Sequence, residues 1–196
     1  MKRVLFSLAL ALSALPSFAD SVYLGTPSYG GTGCPANSAS VALSPDSKSL
    51  SILFDQYVVE SGGTTGRDLD RKTCNIAVPV HVPQGLSVSV FRVDYRGFNS
   101  LPYGAYSQFN VEYFFAGARG PSFQKTFNGQ LASNYTLSNT LIASAVVWSP
   151  CGQDVNLRVN SSMLVRTNAQ REQSMATVDS ADIRAGLIYN LAWRRC

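Results

Sequence analysis

The sequence has little of what enzymes and nucleic-acid-binding proteins use most. It contains one histidine, His81, so a Ser-His-Asp triad or a histidine-based metal site would rest on that residue alone, and no motif for either surrounds it. Only 14% of the residues are charged, and 16 lysines and arginines stand against 12 acidic residues. This balance lacks the basic character of a nucleic-acid-binding surface. We therefore expect no nucleic-acid partner, no metal and no cofactor, and we favour a protein that is not an enzyme.

Long apolar runs are also missing, except at the N-terminus. Residues 1–19 begin with Lys2 and Arg3, continue with the apolar run Val4–Leu15 and end in small residues, as a secretory signal peptide does. We predict cleavage before Asp20 and a single domain over residues 20–196. After the leader, no apolar stretch approaches the ~20 residues of a membrane-spanning helix. We therefore expect a secreted or periplasmic protein without a transmembrane anchor in the mature chain.

The four cysteines contain no CxxC pair, which disfavours a zinc site. An even number of cysteines in an exported chain favours disulfides, and four cysteines allow three connectivities. We favour Cys34 with Cys74 and Cys151 with Cys196, because each pair then closes one half of the chain. Each such loop contributes about 4 kcal/mol in the chain-entropy model.

Apolar residues at helical spacing are absent, and apolar and polar residues alternate instead along most of the chain. This alternation predicts half-buried β-strands, with Gly and Pro at the turns between them. Strands are expected at Val41–Leu43, Ser49–Phe54, Cys74–Val82, Leu86–Tyr95, Gln108–Phe115, Phe123–Phe127, Leu141–Trp148, Val155–Arg166 and Leu187–Arg194. The sequence thus predicts an all-β fold, a β-sandwich or jelly roll of about eight to ten mostly antiparallel strands.

Two irregularities and two long connections are also predicted. Pro79 lacks an N–H, which indicates a sheet edge or a bulge. The buried phase changes after Val90, which indicates a bulge near that residue. The connections Ser61–Lys72 and Asn168–Asp182 are expected to be loops at the ends of the sandwich, where binding residues tend to lie.

Several short segments spread over most of the mature chain form a family pattern: Phe54-Asp55-Gln56-Tyr57, the alternating residues from Cys74 to Pro83-Gln84-Gly85, Val93-Asp94-Tyr95-Arg96-Gly97, Tyr113-Phe114-Phe115, Cys151-Gly152, Leu157-Arg158-Val159-Asn160 and Leu191-Ala192-Trp193-Arg194-Arg195-Cys196. In these segments the chain resembles a family of exported proteins catalogued as a domain of unknown function and found in bacteria and fungi. The resemblance implies an exported, disulfide-bonded β domain and supplies no catalytic residue.

Two groups of residues are candidates for binding. Asp94, Tyr95 and Arg96 combine a carboxylate and a guanidinium that could form the floor of a polar pocket, and Asp55 and Tyr57 would join them if the two strands are neighbours. The alternative is a salt bridge between Asp94 and Arg96 within the sheet.

The second group is the aromatic stretch of Phe98, Tyr103 and Tyr106. With Pro102 and Gly104 on either side of Tyr103, these residues could present rings to a sugar or to a partner protein. The alternative is that these rings cap the end of the core. Together the two groups favour an exported, non-enzymatic protein that binds a glycan or a protein at the cell surface or outside the cell.

Three alternatives remain from the sequence. A secreted hydrolase could use carboxylates, such as Asp55 with Glu60 or Glu112, and clustering of Asp55, Asp94 and Glu112 would favour it. The acidic residues within Arg67–Lys72 could form a calcium loop, but the interleaved arginines and lysine oppose it. The chain could also be a structural subunit of an envelope or fibre, which a free edge strand would favour.

Overall fold

The computed structural model describes residues 23–46, 49–117, 119–140, 147–178 and 187–196. These residues form thirteen strands and one 3-10 turn, Gly63–Thr65. The strands are β1 (Tyr23–Leu24), β2 (Ser28–Gly30), β3 (Ala39–Leu43), β4 (Ser49–Phe54), β5 (Val58–Ser61), β6 (Leu69–His81), β7 (Leu86–Leu101), β8 (Tyr106–Phe115), β9 (Ser122–Asn128), β10 (Leu131–Thr140), β11 (Val155–Arg166), β12 (Ser174–Thr177) and β13 (Leu187–Arg195). The predicted signal peptide and residues 141–146 of the expected strand Leu141–Trp148 lie outside the described residues.

The strands form two antiparallel sheets. The six-stranded sheet has the order β1-β6-β11-β8-β9, with β2 also paired to β6. The seven-stranded sheet has the order β3-β4-β13-β7-β12-β5, with β10 also paired to β7. The two sheets enclose one hydrophobic cluster, so the fold is the predicted all-β sandwich.

The alternation that predicts the strands also identifies the core. Cys74, Ile76, Val78 and Val80 of β6 are all buried, as their shared phase indicates. β8 and β11 contribute buried residues at every second position in the same way. The aromatic centre of the core is Tyr95, whose ring centroid lies 5.1 Å from that of Phe109.

The predicted bulge near Val90 is present, whereas Pro79 lies opposite a gap in the ladder and not at a sheet edge or a bulge. Asn190 of β13 pairs with Arg92, and the next residue, Leu191, pairs with Val90, so Phe91 is the extra residue of a bulge. Pro79 lies where the neighbour of β6 changes from β1 to β2, and its carbonyl accepts a hydrogen bond from Gly25 N–H at 2.8 Å. The N–H and C=O of one strand residue face the same neighbour. The missing donor of Pro79 therefore faces the gap between β1 and β2.

The disulfides pair as expected, and their environments differ. Cys34 and Cys74 are joined with a Cα–Cα distance of 5.3 Å and are both fully buried in the core. Cys151 and Cys196 are joined with a Cα–Cα distance of 6.0 Å and are both exposed. The second bond, with a hydrogen bond from Cys196 N–H to the Gly85 carbonyl at 3.0 Å, fixes the last residue to the body of the fold.

The two predicted loops are shorter than expected, because each contains part of a strand. β6 already begins at Leu69, and β12 lies within Asn168–Asp182 and pairs with both β5 and β7. The start of β6 is charged and β12 has only four residues, so neither shows the alternation of apolar and polar residues that predicts a strand. The same reason explains why the strands outnumber the expected eight to ten: β1, β2, β5 and β12 have two to four residues each, and β10 is largely polar. Among the described residues, no helix has the length and apolar character needed to cross a membrane.

Candidate functional site

The two tyrosines of the first candidate group are core residues. Tyr95 is fully buried, and Tyr57 is 1% exposed, with its hydroxyl 3.3 Å from Ser161 Oγ and 3.4 Å from the Lys72 carbonyl oxygen. Burial raises the pKa of the Tyr57 hydroxyl well above its usual range, and the hydrogen bond with Ser161 offsets only part of that effect. Tyr57 is therefore neutral at physiological pH and joins the sheets inside the sandwich.

The charged residues of that group lie on the surface. Asp94 of β7 accepts a hydrogen bond from Arg92 Nε at 3.1 Å, so within the described part of the chain its ion pair is with Arg92 and not with Arg96. Arg96 is exposed, and Asp55 is exposed just after the end of β4. β13 lies between β4 and β7, so the strands that carry Asp55 and Asp94 are not neighbours.

The carboxylates that a hydrolase would need are dispersed. Asp94 alternates with buried Tyr95 and faces outward from the seven-stranded sheet, whereas Glu112 alternates with buried Tyr113 and faces outward from the six-stranded sheet. Packed sheets lie ~10 Å apart, and the two side chains point in opposite directions from them. Asp94 and Glu112 therefore do not share a cleft of the kind that glycoside hydrolysis requires.

The second candidate group, Tyr103 and Tyr106, lies at one end of the sandwich. Tyr103 occupies the second position of a four-residue turn closed by a hydrogen bond from Ala105 N–H to the Pro102 carbonyl at 3.1 Å. Gly104, at the third position, has φ +81°, the left-handed conformation that a type II turn requires. The turn directs the Tyr103 side chain into solvent, where it is 80% exposed.

A polar groove of about 460 Å³ opens beside this turn. The side chains that define it come from the start of β8, the end of β11 and two loops: Tyr106, Arg166, Thr167, Asn168, Arg171 and Asp68. Tyr106 is half-buried and lies directly opposite Arg166 in the register of β8 and β11. The groove therefore combines an aromatic ring with guanidinium, carboxylate, amide and hydroxyl groups.

Asn168 holds the exposed turn in place. Its Nδ2 donates to the Tyr103 carbonyl at 2.9 Å and also contacts Glu172 Oε2, and its Oδ1 accepts from Glu172 N–H at 3.0 Å. Asn168 is buried, and Thr167 Oγ1 donates to the Glu172 carbonyl close by. One amide thus connects the Tyr103 turn to the loop after β11, which fixes both walls of the groove.

An ion pair closes the other side of the groove. Arg171 Nε lies 2.8 Å from Asp68 Oδ1, and its Nη2 lies 3.1 Å from Oδ2, so the pair is bidentate. Arg171 has φ +55°, a left-handed conformation that costs a residue with a Cβ about 1 kcal/mol or more. The carbonyl of Arg171 accepts a hydrogen bond from Gly63 N–H at 2.7 Å, which ties this loop to the 3-10 turn.

The residues predicted from the sequence include Tyr106, which lines the groove, and Tyr103, which lies beside it, but not most of the groove's polar residues. Asp68 lies in the segment weighed as a calcium loop, but its carboxylate pairs with Arg171, and the Asp70 carboxylate lies 3.3 Å from Arg67 Nη1. Arg166 and Asn168 lie at a strand end, where their polarity is ordinary. No local signal joins Asp68 to Arg171, which follows it by 103 positions.

The fold and the groove together define a two-disulfide β-sandwich with a solvent-open polar groove at one end. The chain belongs to the family described as "Domain of unknown function (DUF4360)", whose model matches residues 20–196. That match begins at the first residue after the predicted cleavage point. The family resemblance read from the sequence is thereby confirmed.

The comparisons also show a fungal relative. A protein of Arthroderma benhamiae described as "Uncharacterized secreted protein" is 32% identical over 178 residues, which are 90% of this chain and 73% of that protein. Among solved structures, that of TmCBM61 in complex with β-1,4-galactotriose matches 86% of this chain and 88% of its own, with 12% identity and a TM-score of 0.29. A likeness at this level carries no conclusion about a ligand.

Proposed function

We propose that this protein is exported and binds a glycan in the end groove, with the ring of Tyr103 as a stacking surface and the groove's polar groups as hydrogen-bonding partners. The observation that carries the proposal is the exposure of Tyr103, 80%, on a turn that two hydrogen bonds hold rigid. A single exposed aromatic side chain is ordinary on a protein surface. A rigid one beside a polar groove is the arrangement that a binding site uses.

The chemistry of the groove matches that of a sugar. A pyranose ring presents C–H faces, which pack on an aromatic ring, and hydroxyl groups, which both donate and accept hydrogen bonds. Tyr103 and Tyr106 supply rings with an apolar body and a polar tip. Asp68 accepts, and Arg166 and Arg171 donate, at fixed positions around the same opening.

Rigidity supports the proposal further. Ordering a mobile loop on binding costs free energy, so loops that are already fixed bind more tightly. The hydrogen bonds of Asn168 and the bidentate pair of Asp68 with Arg171 fix the groove before any ligand arrives. The predicted leader, the two disulfides and the secreted relative support a place of action outside the cytosol.

The test is binding of the exported protein, with both disulfides formed, to a glycan array and to soluble polysaccharides by affinity gel electrophoresis. We expect Tyr103→Ala to weaken binding at least tenfold without a change in melting temperature. Tyr23→Ala is the matched control, because Tyr23 is also exposed, at 56%, but pairs with His81 at the opposite end of the sandwich.

Two outcomes would contradict the proposal. Equal binding by the Tyr103→Ala variant and the parent would remove the groove from the interaction. If the protein bound no glycan but bound one defined protein, and that binding depended on Tyr103, a protein partner at the same surface would be favoured.

A further inference from the structure

The outer face of the six-stranded sheet carries a second polar cavity. This cavity has a volume of about 330 Å³ and lies on β6, β11, β8 and β9. Amide and hydroxyl side chains line most of it: Asn75, Asn110, Asn160, Ser162 and Gln124. Outward-facing positions of a sandwich are commonly polar, but here planar amides from four adjacent strands share one concavity.

The strand register arranges these side chains in rows across the sheet. Asn160 lies opposite Asn75 on one side and Glu112 on the other, and Ser162 lies opposite Asn110. Directly opposed residues on one face have Cβ atoms about 5 Å apart. The rows therefore present hydrogen-bond donors and acceptors about 5 Å apart, one from each strand, across the width of the cavity.

Positive charge dominates this face. The outer face of β6 and β11 carries three arginines, Arg71, Arg158 and Arg166. The acidic residue on the same face of the neighbouring strand β8 is Glu112. Arg71 Nη2 donates to Ser162 Oγ at 3.3 Å, whereas Arg158 and Arg166 have no side-chain hydrogen bond or ion pair within the described part of the chain. Two exposed guanidinium groups thus have their donors available to a ligand.

The cavity and the end groove adjoin. Leu164 lies opposite Arg71, and Arg166, two residues further along β11, lies opposite Tyr106. Arg71 and Arg166 are therefore diagonal neighbours on one face, with Cβ atoms about 7–8 Å apart. Arg71 lines the cavity and Arg166 lines the groove, so the two openings form one track with arginines at their junction.

We infer that this track binds an anionic polysaccharide, whose carboxylate or sulfate groups pair with Arg71 and Arg166 in the track and with Arg158 beside it on the same face, while its hydroxyl groups meet the amide rows. The inference rests on the proposed glycan-binding function and specifies the charge of the glycan. A guanidinium group can donate two parallel hydrogen bonds to two oxygens of a carboxylate or of a sulfate, so both sources fit. The interleaved Glu112 and amides distinguish the face from the uniformly basic surface of a nucleic-acid-binding protein.

The experiment compares polymers that differ only in charge, by affinity electrophoresis and calorimetry with the disulfide-intact protein. The pairs are polygalacturonate with its methyl ester, and dextran sulfate with dextran. We expect the charged member of one pair to bind at least tenfold more tightly than its neutral counterpart. A preference for polygalacturonate would identify carboxylate as the anion, and a preference for dextran sulfate would identify sulfate. Rising salt should weaken the binding of the charged polymer alone.

Three variants locate the interaction. We expect Arg166→Gln and Arg71→Gln each to weaken binding of the charged polymer about tenfold or more, the loss of one charge-assisted hydrogen bond. Arg96→Gln is the matched control, because Arg96 is also exposed but faces outward from the opposite sheet. This variant should bind as the parent does.

The outcomes separate the inference from the function on which it rests. Equal binding of a charged polymer and its neutral counterpart would overturn the inference and leave glycan binding in place. Binding of no polysaccharide of either kind would overturn both. Equal binding of a single-stranded oligonucleotide, with the same dependence on Arg166, would show a general polyanion surface and overturn the inference.

Discussion

The two ends of the sandwich are held in different ways. At one end, the exposed Cys151–Cys196 disulfide and a hydrogen bond from Gln84 Nε2 to the Gly152 carbonyl at 2.9 Å tie the turns together. At the other end, the turns are held by the side chain of Asn168 and by the ion pair between Asp68 and Arg171. The described residues at this second end include no cysteine.

The difference between the two ends indicates that one end mainly contributes stability and the other mainly contributes binding. A disulfide fixes loops but presents few polar groups, so the end that it closes gains stability and little binding chemistry. Side chains that fix loops by hydrogen bonds and ion pairs remain able to meet a ligand. The groove end is thus organised by the same kinds of groups that would contact a glycan, and the two ends should respond differently to mutation.

The largest expected effect lies at the disulfide end. Replacing Cys151 and Cys196 together by serine should lower the free energy of unfolding by up to about 4 kcal/mol, because the unfolded chain regains the freedom of a loop of 45 residues. Glycan binding of the folded fraction should not change. Denaturant titration measures the first effect and affinity electrophoresis the second, and a parallel loss of binding in folded protein would contradict the separation of the two ends.

An intermediate effect is expected at Asn168. Asn168→Ala leaves the Tyr103 carbonyl and the Glu172 N–H without their partner, which should lower the free energy of unfolding by about 1–3 kcal/mol. Glycan binding should also weaken, because the turn that presents Tyr103 is released. Asn168→Asp is the control: it keeps the acceptor for Glu172 N–H and removes the donor to Tyr103. If Asn168→Asp bound glycan like the parent, the donor to Tyr103 would have no role in the groove.

The smallest expected change in stability is at Arg171. Arg171→Gly removes the ion pair with Asp68 but relieves the left-handed backbone, so the free energy of unfolding should stay within about 1 kcal/mol of the parent. Binding of a charged glycan should nevertheless fall, because a guanidinium is lost from the groove. Arg171→Lys keeps the charge and the backbone strain and should bind better than Arg171→Gly. A glycine variant that binds like the parent would show that the strained arginine serves structure alone.

The sequence was sufficient for features that depend on neighbouring residues. Alternation identified the long strands and their buried faces, and the phase change after Val90 located the bulge at Phe91. Both disulfides were predicted because each pair of cysteines closes a loop within one half of the chain. Tyr103 could be predicted as a candidate because Pro102 and Gly104 flank it in a turn.

Features that depend on sheet order could not be predicted in the same way. Asp55 could join Asp94 only if β4 and β7 were neighbours, and β13 lies between them. The residues of the groove come from three segments that lie up to 103 positions apart, and only the pairing of β6, β8 and β11 brings them together. Alternation shows which face of a strand is buried, but it does not specify which strands are adjacent.

One side of β6 is paired with two short, separate strands, β1 and β2, and this arrangement affects self-association. An outer strand with a continuous row of unpaired backbone groups can template the addition of strands from another molecule. On this side of the six-stranded sheet, β1 and β2 have two and three residues, and they are separated opposite Pro79 of β6, which has no N–H to offer. An incoming strand would find two short fragments of ladder and no continuous template, so this edge opposes growth into a fibre.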